Sequence, residues 1–243
     1  MNTLNDISVE PVNNLSKDVA KEALKKLRKE LFELQNKFYA DGRFALLIIL
    51  QGMDTSGKDG TIRHVFSSMN PQGVQVKSFK KPTEEELSHD FLWRVYSHVP
   101  PKGVIQIFNR SYYEDIIMPI IENKSSDKMM IHRCKLIKNL EEHFEQNNIT
   151  VIKMFLHISK EEQEKRIKER LTKPHKRWKF SKEDTNVAKL WHKYQTAYNS
   201  IINNCDSPDW NIIPANKKWY FNYQVAKILT EHLKNLNLKY PNN

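Results

Sequence analysis

The chain has 243 residues and a formal net charge of +10, because 39 lysines and arginines outnumber 29 aspartates and glutamates. This length suits one domain with a substantial core, and the charge favours a polyanionic partner such as nucleic acid, a phosphate chain or acidic lipid. Cys134 and Cys205 lack metal-ligand spacing, so we expect two buried thiols in a reducing compartment rather than a disulfide framework. The longest aliphatic run, residues 44–50, is too short to span a bilayer, which predicts a cytoplasmic protein without membrane contact.

The N-terminal part of the chain divides into a tail and a helix. Residues 1–15 are polar and aperiodic, so we expect a mobile tail ahead of one domain, residues 16–243. Ser16 is a candidate N-cap for a helix with apolar residues at helical spacing, and Gly42 is its predicted stop. Residues 43–52 contain a continuous apolar run, 44–50, which predicts a strand that is covered on both faces.

Strand and helix patterns then alternate to the end of the chain. Further strands are predicted at 74–79, 103–111, 150–158 and 210–215. Helices are predicted at 60–69, 83–95, 129–144 and 225–236, and others from Ser159 and from Ser181, with capping boxes at Thr83–Glu86 and Ser159–Glu162. The pattern predicts an α/β fold in which a five-stranded parallel sheet lies between two helix layers. Ligands of such sheets bind beyond the carboxyl ends of the strands.

A glycine loop follows the first strand and has the spacing G-x-x-x-x-G-K. Amide groups of such a loop surround a phosphate at a helix N-terminus, and the lysine neutralises further charge. The next residue is usually Ser or Thr, whose hydroxyl binds magnesium, but here it is Asp59. We therefore expect Asp54 to hold a divalent cation, magnesium or manganese, beside the phosphate oxygens. The candidate phosphate-binding residues are Gly52, Thr55, Ser56, Gly57, Lys58, Asp59 and Gly60.

Two plainer interpretations of this loop stay open. A glycine-rich turn between strand and helix also occurs for packing alone. Asp59, in the first turn of the predicted helix, could simply complement the helix dipole.

The third strand ends in a second polar motif, FNRSYYED, residues 108–115. Asn109 stands where a P-loop fold usually has its metal-binding Walker B acid. Arg110 is a candidate catalytic residue, since a guanidinium at a strand end can clamp a transferring phosphoryl group through two hydrogen bonds. The alternative is an arginine that pairs with a structural carboxylate.

Three motifs together, GMDTSGKD, NRSYYED and KRWKFS, resemble the polyphosphate kinase 2 family from about Leu24 to the C-terminal helix. The resemblance implies a thymidylate kinase-like fold, magnesium-dependent phosphoryl transfer between inorganic polyphosphate and the nucleotides AMP, ADP and ATP, and a homodimer or homotetramer. The asparagine of the second motif is similar to the subgroup called class III, which phosphorylates AMP as well as ADP. The resemblance further implies that Asn109, Tyr113 and Glu114 lie at the nucleotide. Asp115 is the alternative source of negative charge there.

Basic residues form a candidate binding track for the phosphate chain. Polyphosphate offers no base to read, so its binding must come from lysines and arginines that release counterions. The alternative for the scattered lysines is a solvated surface. The candidates are Lys58, Arg63, Lys77, Lys80, Lys81, Arg110, Lys176 and Lys179.

Residues 160–182 form a strongly charged segment that we interpret as a helical lid. Arg166 and Arg170 lie one turn apart, and a lid arginine can stabilise charge in the transition state of phosphoryl transfer. Both are therefore candidate catalytic residues. The alternative is an exposed helix with ion pairs such as Glu162 with Arg166.

Two rival functions remain. An ATP-dependent nucleoside monophosphate kinase could use the same fold, but Asp59 replaces the hydroxyl usual for ATP and magnesium. A non-catalytic binder of polyanions or nucleic acid would use the basic surface but would not need Asp54, Gly57 and Lys58 at this spacing. We therefore favour an enzyme that does not bind nucleic acid.

Overall fold

A computed structural model describes residues 3–12, 14–179 and 189–241 of the chain. The predicted helix start at Ser181, the end of the predicted lid at 180–182 and the side chain of Lys179 lie outside this description. Within the described ranges no helix is long and apolar enough to cross a membrane.

Five parallel strands form the sheet, in the order β2-β3-β1-β4-β5. The strands are β1 Ala45–Gln51, β2 Val74–Ser78, β3 Ile105–Asn109, β4 Ile149–His157 and β5 Trp210–Pro214. β1 lies at the centre and every one of its residues is buried, as its continuous apolar sequence predicts. The predicted α/β fold is confirmed, and β1 and β3 end side by side, with Leu50 opposite Asn109.

Helices cover the sheet. Ser16 accepts a hydrogen bond from Val19 N at the start of the first helix, and Gly42, with φ of 63°, ends it in the left-handed conformation that glycine favours. In the described part of the chain the helices are α1 Lys17–Asp41, α2 Lys58–Val65, α3 Glu84–Ser88, α4 Trp93–Tyr96, α5 Glu114–Ile121, α6 Asp127–Gln146, α7 Lys160–Thr172, α8 Trp191–Asn204 and α9 Lys218–Asn235.

The structure differs from the predicted helices in two places. The helix predicted at 83–95 is divided into α3 and α4, although Thr83 and Glu86 do form the capping box. The Asp90 carboxylate accepts a hydrogen bond from Leu92 N at 2.9 Å, so the side chain competes with the helical ladder and starts a new turn. Helix α5 was not predicted, because it is short and contains Pro119.

Within the tail that was predicted to be mobile or loosely attached, residues 3–12 pack against α8 and the start of α9. Leu4 is buried, and its N–H donates to Asn199 Oδ1 at 2.8 Å. Asn216 N donates to Val9 O at 3.1 Å, and Asn216 Nδ2 donates to Glu10 Oε1 at 2.9 Å. The apolar residues of this segment follow no helix or strand period, so the sequence pattern did not predict this attachment.

A buried polar network lies under the sheet. Lys153 on β4 and Glu141 on α6 form a fully buried ion pair at 3.0 Å. Lys153 Nζ also donates to Cys205 O at 2.8 Å, which fixes the chain after α8. The Cys134 and Cys205 sulfurs approach to 2.7 Å, and both thiols are buried, as predicted. The network joins β4, α6 and α8 on one side of the sheet.

Candidate active site

The glycine loop, residues 52–58, leads from β1 into α2 and needs its two outer glycines. Gly52 and Gly57 have φ of 146° and 120°, which side chains rarely adopt. A Cβ on Gly52 would lie 2.7 Å from Leu156 O, and one on Gly57 would lie 2.6 Å from Phe221 Cζ. Close packing of β4 and α9 against the loop therefore requires glycine at both positions.

Lys58 folds back across this loop. It is buried, and its Nζ donates to Gly52 O at 2.7 Å and to Met53 O at 3.2 Å. Burial, and after it the charge of Arg110, lower the pKa of Lys58 to about 8 against the opposing effect of Asp54. The structure thus places a cation that is largely removed from water at the glycine loop, where the sequence predicted one.

Arg110 joins the glycine loop to the second motif. It follows β3 with φ of 63°, and its guanidinium pairs with the Asp54 carboxylate and donates to Glu114 Oε2 at 3.0 Å. The charges of Glu114 and then Asp54 raise its pKa against the effect of burial. Its side chain is 28% exposed, so the guanidinium is held in place yet open to a ligand.

The two departures from the usual motifs compensate each other. Asn109 Nδ2 donates to Asp59 Oδ1 at 2.8 Å, across the gap between β3 and α2. In the usual loop the hydroxyl residue follows the lysine and the acid ends the neighbouring strand. Here Asp59 follows the lysine and Asn109 ends the strand. One carboxylate therefore remains between β3 and α2, and the Asn109 amide donates a hydrogen bond to it.

Arg166, a candidate catalytic residue of the predicted lid, is held by the protein itself. It is buried on α7, and its five N–H groups all have protein acceptors. The acceptors are Glu162 Oε1, Thr55 O, Ser56 O, Ala215 O and Asn216 O, at 2.7 to 3.1 Å. The pair with Glu162 that the alternative interpretation named is present, although Arg166 is buried rather than on an exposed face. The guanidinium also fixes the glycine loop to the chain after β5.

Further residues at the site were not singled out by any sequence motif. Gln163 on α7 is buried and its Nε2 donates to Asp54 O at 3.1 Å. Tyr194 and Tyr198 on α8 lie near the Asp54, Arg110 and Glu114 charges, and burial raises the pKa of Tyr194 to about 12. Their sequence signal was only that of buried helix faces, which is also the signal of ordinary core residues.

Comparison with known proteins identifies the family. The family described as polyphosphate kinase 2 matches residues 14–241 of this chain. The chain belongs to the polyphosphate kinase 2 family. It is 46% identical over 227 residues to the AMP/ADP-polyphosphate phosphotransferase of Meiothermus ruber, covering 93% of this chain and 85% of that protein. It is 40% identical over 240 residues to the ADP-polyphosphate phosphotransferase of Rhodopseudomonas palustris, covering 93% and 83%.

A solved structure shares the whole architecture. The crystal structure of Polyphosphate Kinase 2 from Arthrobacter aurescens TC1 superposes with a TM-score of 0.96 at 37% sequence identity, covering 99% of this chain and 88% of that one. The fold of this polyphosphate kinase 2 chain is therefore the P-loop kinase-like fold that its motifs predicted.

The structure shows the surroundings of two further predicted site residues of this polyphosphate kinase 2 chain. Tyr113 is fully buried and its hydroxyl donates to Glu141 Oε1 at 2.9 Å in the core network, which does not favour contact with a nucleotide. Gly60 lies in the first turn of α2 with open space around it, so no close approach requires glycine there. Tyr113 alternates with Glu114 around the turn into α5, and neighbouring residues on such a turn face opposite ways.

The other predicted basic residues are spread around the site. Arg63, Lys80 and Lys81 are exposed, and Lys77 Nζ lies 5.8 Å from the Phe79 ring centre. Lys176 pairs with Glu169 at 2.5 Å, and this hydrogen bond lowers the pKa of Glu169 to about 2. Arg170 is half-buried on α7.

Buried polar atoms without a protein partner gather at the glycine loop. Within the described residues they include Gln51 Oε1, Thr55 Oγ1, Ser56 Oγ, Glu114 Oε1 and Gln163 Oε1. Buried polar groups are normally paired, so this concentration indicates a polar ligand. No group of three or more His, Cys, Asp or Glu suited to a metal occurs in the described part. Asp54 and Asp59 nevertheless fit magnesium, which typically takes one or two carboxylates together with substrate phosphates.

Proposed function

We propose that this chain transfers phosphoryl groups between inorganic polyphosphate and nucleotides, converting ADP to ATP and AMP to ADP. The observation that carries the proposal is the convergence of Lys58 and Arg110 on a glycine loop that is lined by unpaired buried polar atoms. The names of the Meiothermus ruber and Rhodopseudomonas palustris relatives support the same reaction.

The glycine loop holds the donor phosphates in this proposal. Its amides and the N-terminus of α2 bind phosphate oxygens, and the Lys58 ammonium, already short of water, favours an anion beside it. Gln163 and Arg166 bind the loop carbonyls and so keep the loop rigid before substrate arrives. Rigid, preorganised donors contribute to catalysis because they need no reorganisation during the reaction.

Arg110 acts on the phosphoryl group in transfer. Its present partners, Asp54 and Glu114, lie at the loop and at the start of α5, so it stands between the donor and acceptor sides. Incoming phosphate oxygens compete with these carboxylates for the guanidinium. Phosphoryl transfer depends mainly on positioning and charge stabilisation, which a bidentate guanidinium supplies.

Asp54 and Asp59 would hold the magnesium ion. When bound, this ion neutralises phosphate charge and aligns the donor and acceptor oxygens. Asn109 holds the Asp59 carboxylate in place. Since Arg110 already pairs with Asp54, substrate binding involves an exchange of partners at this carboxylate.

Glu114 is the candidate residue for choosing the acceptor. One of its oxygens binds Arg110 and the other is buried without a protein partner. Glu114→Gln should change the rates with AMP and ADP unequally, and initial rates with each acceptor test this. Equal losses would exclude an acceptor-selecting role.

The remaining expectations belong to the same proposal. The enzyme acts in the cytoplasm, as a homodimer or homotetramer, and residues 160–182 close over the bound phosphates. Arg166 is held by the protein itself, and Arg170, one turn further along α7, is the lid arginine proposed for the charge-stabilising role.

The decisive experiment incubates the pure protein with magnesium, AMP and long-chain polyphosphate, without ATP, and follows nucleotides by chromatography. ADP followed by ATP is the expected result. ATP from added ADP but nothing from AMP would restrict the proposal to diphosphates. ADP formation only when ATP replaces polyphosphate would indicate an ATP-dependent nucleoside monophosphate kinase. Lys58→Ala is the inactive control, and its loss of turnover excludes a contaminating kinase.

A further inference from the structure

The outer face of α1 carries a basic stripe that is separate from the glycine loop. Lys21, Lys25, Arg28 and Lys29 recur at three- and four-residue spacing, so their side chains lie along one side of the helix. Together with Leu24 and Phe32 they line an open groove of about 810 Å³. We call these four cations the α1 stripe.

Cations outnumber carboxylates at the groove of the α1 stripe. None of its four cations forms an ion pair with a described residue, whereas Glu30, on the rim of the groove, pairs with Lys234 at 2.6 Å. Glu33 is the other carboxylate at the groove. Like charges three or four residues apart destabilise a helix, and Lys25 has such neighbours on both sides. An external anion would turn this repulsion into attraction.

Other cations connect the α1 stripe to the candidate active site. Arg28 Nη2 donates to Ser67 Oγ at 3.3 Å, just beyond the end of α2, whose first residue is Lys58. Partial burial, followed by the charges of Arg63, Arg28 and Lys218, lowers the pKa of His64, so these four groups are neighbours. Lys218 in turn lies near Lys176 beyond α7, although Glu169 and Glu162 also face it.

We propose that the α1 stripe is a second binding site for polyphosphate, which holds the distal part of a long chain whose end lies in the glycine loop. The proposal rests on the proposed function. A flexible chain with regularly repeated charge matches a row of cations about 5–6 Å apart. Holding the distal part raises the effective concentration of the chain end at the loop, so long chains bind more tightly than short ones.

The test removes charge from the stripe without disturbing the helix. The stripe variant carries Lys21→Gln, Lys25→Gln and Lys29→Gln, which keeps good helix formers and leaves the Arg28 contact to Ser67 intact. A matched control carries Lys128→Gln, Lys135→Gln and Lys227→Gln, three exposed lysines on α6 and α9. Both variants lose the same charge. Their kinetics are measured with tetraphosphate and with chains of several hundred phosphates.

The stripe variant should raise KM for long polyphosphate on the order of tenfold, with kcat unchanged and the tetraphosphate parameters equal to those of the control. The slope of log KM against log salt concentration should fall by about two for long chains. Equal KM values for stripe and control variants with long chains would overturn the proposal. So would an equal loss with both chain lengths, since that result would reflect the overall charge of the protein.

Direct binding separates this proposal from the proposed function. Long polyphosphate should bind the wild type more tightly than the stripe variant in a titration without nucleotide. If the wild type binds in this way but transfers no phosphate to AMP or ADP, the proposed function fails and the stripe stands. If the wild type turns over and the variants bind alike, only the stripe fails. A stripe-dependent preference for single-stranded RNA over polyphosphate would also overturn the assignment.

Discussion

Arg110 and Arg166 have the same side chain and the same predicted role, yet the structure uses them differently. Arg110 pairs with two carboxylates and keeps 28% of its side chain exposed. Arg166 is buried and spends four of its five N–H groups on backbone carbonyls. A carboxylate can give up its arginine partner when substrate and metal bind. A buried carbonyl that loses its hydrogen-bond donor lowers the stability of the folded protein. The partner, rather than the arginine, decides which residue can act on a ligand.

Arg110→Ala gives the largest expected effect on turnover. Loss of a charge-stabilising arginine should lower kcat by about 10³-fold or more. The thermal midpoint should stay within a few degrees of the wild type, because the partners Asp54 and Glu114 remain partly exposed. Initial rates with polyphosphate and ADP, with thermal denaturation of the same samples, measure both. A large loss of stability would mean that Arg110 has a structural role like that of Arg166, and it would contradict this prediction.

Arg166→Ala should show the opposite pattern. Removing the guanidinium leaves buried acceptors unpaired, which costs about 3–5 kcal/mol, or a fall in Tm of roughly 10 °C. Thermal and urea denaturation measure this loss. Arg166→Lys should recover only part of it, because an ammonium has three donors and cannot span the same acceptors. A fully stable Arg166→Ala protein would contradict the structural role.

Two glycines, one in the glycine loop and one in the first turn of α2, allow a further comparison. Gly57→Ala should destabilise by about 1–3 kcal/mol and reduce phosphate binding, because of the φ of 120° and the contact with Phe221. Gly60→Ala, at an open helical position, should stabilise by up to about 1 kcal/mol. Urea denaturation of the pair decides. Similar effects at both positions would mean that the close approach of Phe221 does not matter.

The smallest effect concerns the proton on Lys58. The pKa of Lys58 is lowered to about 8, so the side chain is cationic below pH 8 and loses its charge as pH rises. Only the cation attracts phosphate, so KM for polyphosphate should rise above pH 8 by roughly tenfold per pH unit. Lys58→Arg keeps its charge and should flatten this rise. A wild-type KM that is constant from pH 7 to 9.5 would contradict the lowered pKa.

Local motifs predicted the parts of the site that lie at strand ends. The glycine loop and the position of Arg110 follow from short sequences at the carboxyl ends of β1 and β3, which a parallel sheet brings to one edge. The burial of Tyr113 could not be predicted, because a motif fixes residue order but not side-chain direction at the turn into α5. Gln163 and Phe221 were missed since each lies more than a hundred residues from the loop it supports.

The sequence by itself determined the sheet, the glycine loop and the family, because the apolar periods, the loop spacing and the motif order are local properties of the chain. Only the tertiary structure decided which charged residues stay available for a ligand. That outcome depends on which acceptors surround each side chain, and those acceptors come from distant segments: the glycine loop and the chain after β5 for Arg166, and the glycine loop for Arg110. The tertiary structure also revealed that residues 3–12 are held by partners from the C-terminal part of the chain, Asn199 and Asn216.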